Sequence, residues 1–355
     1  MNDKYFNRIL KYGLKLLDNK LDLGVKDGDV YTQRHLLRVL LSTVLEASYM
    51  ERVSNHLRGE HNLPSSDTVL GKLGSREWIL LWPVFTGIMR LLLGKAMVCG
   101  GFSVPLDVAL DYHDIPYYGR ERSEWVVRGR ARKGTNWFFR WATVSVIVQE
   151  RRFILACMPV KNSFTHTRVI RCLIHEVRKH VRCIRYVTLD REFYSIDCLR
   201  CLYGLNLKFA MPAEERQKLL KEMKKHVRKN VYEFKYTLSN PYDKLEVTVK
   251  VAWSESRSKY IPYVTNIMLS SHEIQEVYRR RWGIETCYRV LEEEFLPQTT
   301  SNKFVVRLTY VWLAIFLFNL WTLLNYQLQE TPDEPGEHVI AWSFRKKFLA
   351  HLNPG

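Results

Sequence analysis

The chain has 355 residues, 46% apolar and 26% charged, so it can bury a large core and is too apolar for a disordered polypeptide. Its formal charge is +17, from 54 Lys and Arg against 37 Asp and Glu, which points to an anionic partner, with nucleic acid ahead of an anionic membrane surface. Seven cysteines, odd in number and mostly inside apolar runs, read as reduced core residues of a cytoplasmic protein; Cys198 and Cys201 lack the second pair that structural zinc would need.

The N-terminal stretch MNDKYFNRILKYGLKLLDNK carries charge throughout and no apolar core of an export signal. Residues 1–100 read as a helical domain, with apolar residues recurring at three and four and a capped helix start near Ser66 or Asp67. Such a domain serves equally as a DNA-holding unit or as a packing and dimerisation element. After Gly100 and Gly101 the texture changes, and residues 101–231 read as the first part of an α/β domain. FSVPLDVALD is a strand predicted to end at Asp111, followed by the loop-like HDIPYYG and a basic segment, 120–133, with six Arg or Lys and two Glu. WFFRWATVSVIVQ and FILACMPV form a hairpin. A helix over Thr165 to His180, a strand CIRYVTLD ending in Asp190, a helix FYSIDCLRCLYG and a strand NLKFAMP follow. The next helix, about Ala213 to Asn230, holds seven Lys or Arg and one Glu between Arg216 and Lys229, a surplus suited to a phosphate backbone as well as to a solvated face.

Residues 232–269 alternate like strands and form a small β-rich insertion; residues 270–330 are helical, and 331–355 form a C-terminal tail. The whole is a mixed sheet flanked by helices. Residues 308 to 325, LTYVWLAIFLFNLWTLLN, hold no charge, but Thr309, Asn319, Thr322 and Asn325, and the lack of a second such segment, argue for a buried core helix over a membrane span.

Three acids stand out. Asp111 and Asp190 each follow an apolar strand, where open sheets place their sites, although a plain turn residue fits either one alone. In SSHEIQEVYRRRWGIETCYRVLEEEF, a helix capped by Ser270 or Ser271, Tyr278, Arg281, Glu285 and Glu292 fall within about 60° of arc, with Arg289 beside them. Asp107, Asp114 and Glu192 are nearby acids less well placed, and His113 is not a ligand that magnesium asks for. Trp125, Trp137, Trp141 and Trp282 are interleaved with Arg and Lys and suit either base stacking or a core.

ALDYHDIPYYG, SEWVVRGRARKGTNWFFRWATV, YVTLDREFYS and YRRRWGIETCYR together resemble bacterial and archaeal insertion-sequence transposases with a DDE triad, over about three quarters of the chain. The last segment is similar to that group's Tyr-x2-Arg-x3-Glu-x6-Lys signature, except that Glu292 stands at the lysine position, where a carboxylate would repel phosphate. The resemblance implies a ribonuclease-H-like catalytic domain with Asp111, Asp190 and Glu285 as catalytic and metal-binding acids, separated by 79 and 95 residues. It implies two Mg²⁺ ions, with Mn²⁺ as substitute, Asp111 bridging both, since hard oxygen donors suit these ions and a metal pair suits phosphodiester chemistry. Tyr278, Arg281, Arg289, Arg130, Arg132, Lys133 and Trp125 are the expected DNA contacts. The expected partners are double-stranded DNA with terminal inverted repeats, target DNA and a second copy of the chain on DNA, with no membrane, in the cytoplasm at the nucleoid. A nuclease that does not join strands, or a non-catalytic DNA-binding descendant of a transposase, fits the same residues.

Overall fold

The computed structural model describes all residues except 1–2, 103, 121–122, 133, 149–150, 330–337 and 354–355. Five helices come first: α1 (Asp3–Lys20), α2 (Gln33–Leu45), α3 (Met50–His61), α4 (Ser66–Gly74) and α5 (Trp78–Val98). Ser65, one residue before the expected caps, starts α4 by accepting from the Thr68 amide. Next are β1 (Leu106–Pro116), β2 (Val126–Arg132), β3 (Thr135–Val148), β4 (Arg151–Pro159), α6 (His166–Arg178), β5 (Ile184–Leu189), α7 (Ile196–Gly204), β6 (Phe209–Pro212) and α8 (Gln217–Val227). The remainder is β7 (Glu233–Ser239), β8 (Lys244–Ser254), β9 (Lys259–Thr265), α9 (Ser271–Arg279), α10 (Gly283–Val290), α11 (Phe304–Gln329) and α12 (Ala341–Leu352).

The strands join one sheet in the order β2-β3-β1-β5-β6-β9-β8-β7, with β4 also paired to β3. β1, β5 and β6 run parallel at its centre and the other pairings are antiparallel, so the fold is a mixed sheet flanked by helices behind an N-terminal helical region, as in a ribonuclease-H-like domain. The β-rich stretch is no separate appendage. β9 pairs directly with β6, so β7 to β9 extend the central sheet.

Two expectations for the first strands need correction. β1 does not stop at Asp111, because the long β3 keeps pairing with it as far as Pro116 opposite Phe138. The basic segment contains a strand, β2, whose Arg128, Arg130 and Arg132 alternate onto one exposed side.

α11 is the spine of the helical layer and is buried along most of its length. Its buried Thr and Asn side chains are matched: Thr309 and Thr322 donate to the carbonyls of Val305 and Phe318, and Asn325 binds the backbone of Val339. Asn319 accepts from the Ile154 amide at 3.0 Å and donates to the Ile154 carbonyl at 2.8 Å, covering the free edge of β4. α5 is a second helix long and apolar enough to cross a membrane by length and composition, contrary to the expectation that residues 308 to 325 stand alone in this respect. Cys157, Cys198, Cys201 and Cys287 are buried thiols, whereas Cys172 and Cys183 lie at the surface.

Candidate active site

Strand alternation divides β1 into two faces. Asp107, Ala109, Asp111 and His113 look towards α10, where Ala109 packs with Ile147, Ile284 and Tyr288; Tyr112 and Asp114 look the other way. The parallel pairing of β1 with β5 ends at Leu110 opposite Leu189, so the next residues, Asp111 and Asp190, emerge side by side. Asp190 begins a short 3₁₀ turn, Arg191–Phe193, without spending its carboxylate on the cap. Asp111 is therefore at the end of the parallel pairing, although in the middle of its strand.

The third acid arrives on the C-terminal helices. Ser270 and Glu273 form a capping box that starts α9. The helical path continues through a 3₁₀ turn, Arg280–Trp282, into α10 and ends in a π-helical turn, Leu291–Phe295. Arg281, only 5% exposed, binds all three acids: its Nη1 is 2.6 Å from Asp111 Oδ2, and its Nη2 is 3.3 Å from Glu285 Oε1 and 3.9 Å from Asp190 Oδ1. Its Nε donates to the Tyr278 hydroxyl at 3.1 Å.

Asp111 forms the buried floor, while Asp190 and Glu285 are open to solvent. Burial pushes the Asp111 carboxyl up to about 7; Arg281 opposes this, the neighbouring Asp190 and Glu285 add to it, and the Tyr112 amide, donating at 2.9 Å, opposes it again. Burial likewise raises the Tyr278 hydroxyl, so it stays a neutral donor.

Three further residues hold the site, and the sequence reading did not single them out. Thr143, opposite Asp111 in the register, bonds the Tyr288 hydroxyl, which also donates to the Asp111 carbonyl at 3.4 Å. Arg140 donates to both oxygens of Asp114, at 2.7 and 2.8 Å, and to Glu192 at 2.6 Å. It thereby clamps β1 to the turn that follows Asp190. Asp114 and Glu192 are thus structural ion-pair partners, as is Asp107, which takes two bonds from Arg185. Tyr288 falls on the same side of the helix as Arg281 at 100° per residue, a signal that was present; Arg140 had none.

The other expected contacts separate by exposure. Arg130, Arg132 and Arg289 are exposed. Trp282 is 68% exposed beside Arg281, whereas Trp141 is core. Trp125 does not fit the role of a DNA contact: it is buried, stacked on Phe304 at 4.2 Å and met edge-on by Trp78, because β2 folds it inward. Lys133 lies outside the described residues. Glu292 faces His113, whose Nε2 is 3.1 Å from its Oε1, off the line of a hydrogen bond, while the His113 ring stacks on Tyr288 at 4.4 Å.

Three hard carboxylates around one cation are a donor set suited to Mg²⁺ or Mn²⁺. Among the described residues, no three acidic, His or Cys side chains are grouped to hold a metal as they stand, because the guanidinium of Arg281 lies between them.

A family described as transposase DDE domain matches residues 103–320, a span that contains all three acids. Among solved structures, the piggyBac transposase synaptic complex with hairpin DNA, determined by cryo-EM, is similar over 99% of this chain and 78% of that chain, at 13% identity and a TM-score of 0.59. That likeness is one of fold. No curated protein sequence matches the chain. With the family match covering more than half of the chain, the protein belongs to the transposases with a DDE domain.

Proposed function

We propose that the protein cleaves DNA at the ends of a mobile element and joins them to target DNA, with Asp111, Asp190 and Glu285 as the catalytic acids. The observation that carries this reading is their convergence on Arg281 from three separate elements, β1, the end of β5 and α10. The solved transposase of similar fold is itself a complex with hairpin DNA, which supports DNA as the substrate here.

Asp111, Asp190 and Glu285 would hold Mg²⁺, or Mn²⁺ in its place. When bound, such ions activate the attacking hydroxyl and stabilise the leaving oxygen. Asp111, fixed on the sheet floor by the Tyr112 amide, sets the position of the centre. Asp190 and Glu285, whose side chains are open to solvent, would complete the donor set. Arg281, released from the acids, and Tyr278, held neutral, would orient a DNA phosphate. Arg289 and the β2 arginines Arg130 and Arg132 would grip flanking backbone, their planar forks suited to phosphate. Tyr278, Arg281 and Glu285 stand at the signature positions that the sequence resembles, and Glu292 departs from it by facing His113 in place of a lysine's contact with DNA.

The test uses purified protein, a duplex from the DNA flanking the coding region, a target plasmid and Mg²⁺. Wild type should nick the flank and transfer its 3′ end, and Asp111→Asn, Asp190→Asn and Glu285→Gln should each lower both steps by about 100-fold or more. Activity surviving in all three variants would sink the mechanism. Cleavage without joining would leave a nuclease.

A further inference from the structure

We propose that the outer face of α8 is a track for the backbone of target DNA, taken as duplex of any sequence. Lys218, Lys221, Lys224 and Lys225 fall within about 120° of arc, opposite the buried Leu219 and Met223, and Arg228 and Lys229 follow in the closing turn. All six are exposed, and none is in an ion pair among the described residues. Two acids just ahead of α8 are engaged, Glu214 with Arg216 and Glu215 with Arg191 and Lys259, and Glu222, the acid within α8, lies 3.9 Å from His226. Six cations spread over roughly 17 Å of helix repel one another, and that span matches about five phosphates of one strand.

The track starts at the active site. β5 and β6 are parallel neighbours, so the chain leaves β6 for α8 at the same edge of the sheet where Asp190 leaves β5. Glu215, just ahead of α8, binds Arg191, the residue after Asp190, at 3.4 Å. Five of the six cations are lysines, which act as point charges on phosphate and lack the fork by which arginine reads base edges. Recognition without sequence suits a target and not an element end. This inference rests on the reading of the protein as a DNA-joining enzyme.

The experiment compares the full chain with a Lys218→Gln, Lys221→Gln, Lys224→Gln, Lys225→Gln variant, binding a random duplex of about 30 base pairs between about 50 and 200 mM salt by fluorescence anisotropy. The plot of log affinity against log salt should become shallower by about 3 to 4, from roughly 0.9 per lost phosphate contact. The four Lys→Arg replacements should restore the slope, which a folding defect would not allow. Cleavage of the flanking duplex should persist in the Gln variant while transfer into a plasmid is lost. An unchanged slope overturns the proposal, as does equal loss of binding to the random and the flanking duplex, or binding of phosphatidylglycerol vesicles in preference to DNA. Absence of cleavage by the wild type would count against the catalytic reading alone, because the slope reports on the surface directly.

Discussion

Arg281 does in one side chain what the separation of the triad along the sequence makes difficult: it pairs with three acids at once from a buried position. Asp111 still bears the cost of burial. Burial pushes its carboxyl up to about 7 in the folded chain, from an ordinary value near about 4. Between those values the native protein holds a proton that the unfolded chain has lost, so stability falls as pH rises from about 4 through 7 and levels off above. The group contributes roughly 4 kcal/mol to that fall. In EDTA, urea denaturation of wild type should therefore show a steeper loss between pH 4 and 8 than Asp111→Asn, which carries no proton to lose. Parallel curves for the two proteins would show that Asp111 is not the titrating group.

At the level of elements, the polar residues of α11 explain why an uncharged helix belongs in the core. Asn319 supplies both a donor and an acceptor to Ile154, where β4 has no neighbouring strand on that side. Asn319→Ala would leave the Ile154 amide and carbonyl without these bonds in a buried setting, at a cost of about 3 kcal/mol. Chemical denaturation reads that loss as a lower midpoint with an unchanged slope; a midpoint within error of wild type would rule out the edge-covering role. The same residues made the helix legible in the sequence, because Thr309, Asn319, Thr322 and Asn325 are out of place against lipid. The hairpin of β3 and β4, the strand before Asp190 and the capped start of α9 were legible for similar local reasons. β2 was not, since three arginines at alternate positions look like a charged loop until a neighbour, β3, supplies the ladder. The extension of β1 was hidden by His113, Asp114 and Pro116, which resemble loop residues, and by the length of β3, a tertiary fact. Trp125 was ambiguous for the opposite reason: an indole among basic residues looks the same in sequence whether its face meets a base or, as here, Phe304. Within the candidate site, the face of Tyr278, Arg281 and Glu285 followed from helical spacing. Arg140 lay beyond reach, because its partners Asp114 and Glu192 are 26 and 52 residues away.

On the scale of the whole molecule, the candidate centre joins parts of the chain that lie far apart in sequence. β1 and β5 form the middle of the sheet, whereas α10 is delivered only after β7 to β9 have extended it. A cation shared by Asp111, Asp190 and Glu285 would therefore link the sheet to the C-terminal helices, as Arg281 does from within the chain. Divalent metal binding the native arrangement and not the unfolded chain should stabilise the entire fold, by about 2.7 kcal/mol at a concentration 100 times the dissociation constant. For a chain of this size that is a rise of a few degrees in melting temperature. Mn²⁺ should produce such a rise in the wild type, growing with pH through 7 as Asp111 gives up its proton. The combined Asp111→Asn, Asp190→Asn, Glu285→Gln variant should show none. An equal rise in that variant would mean that the ion stabilises the protein at some other place, and the three acids would then be held by Arg281 for structure alone.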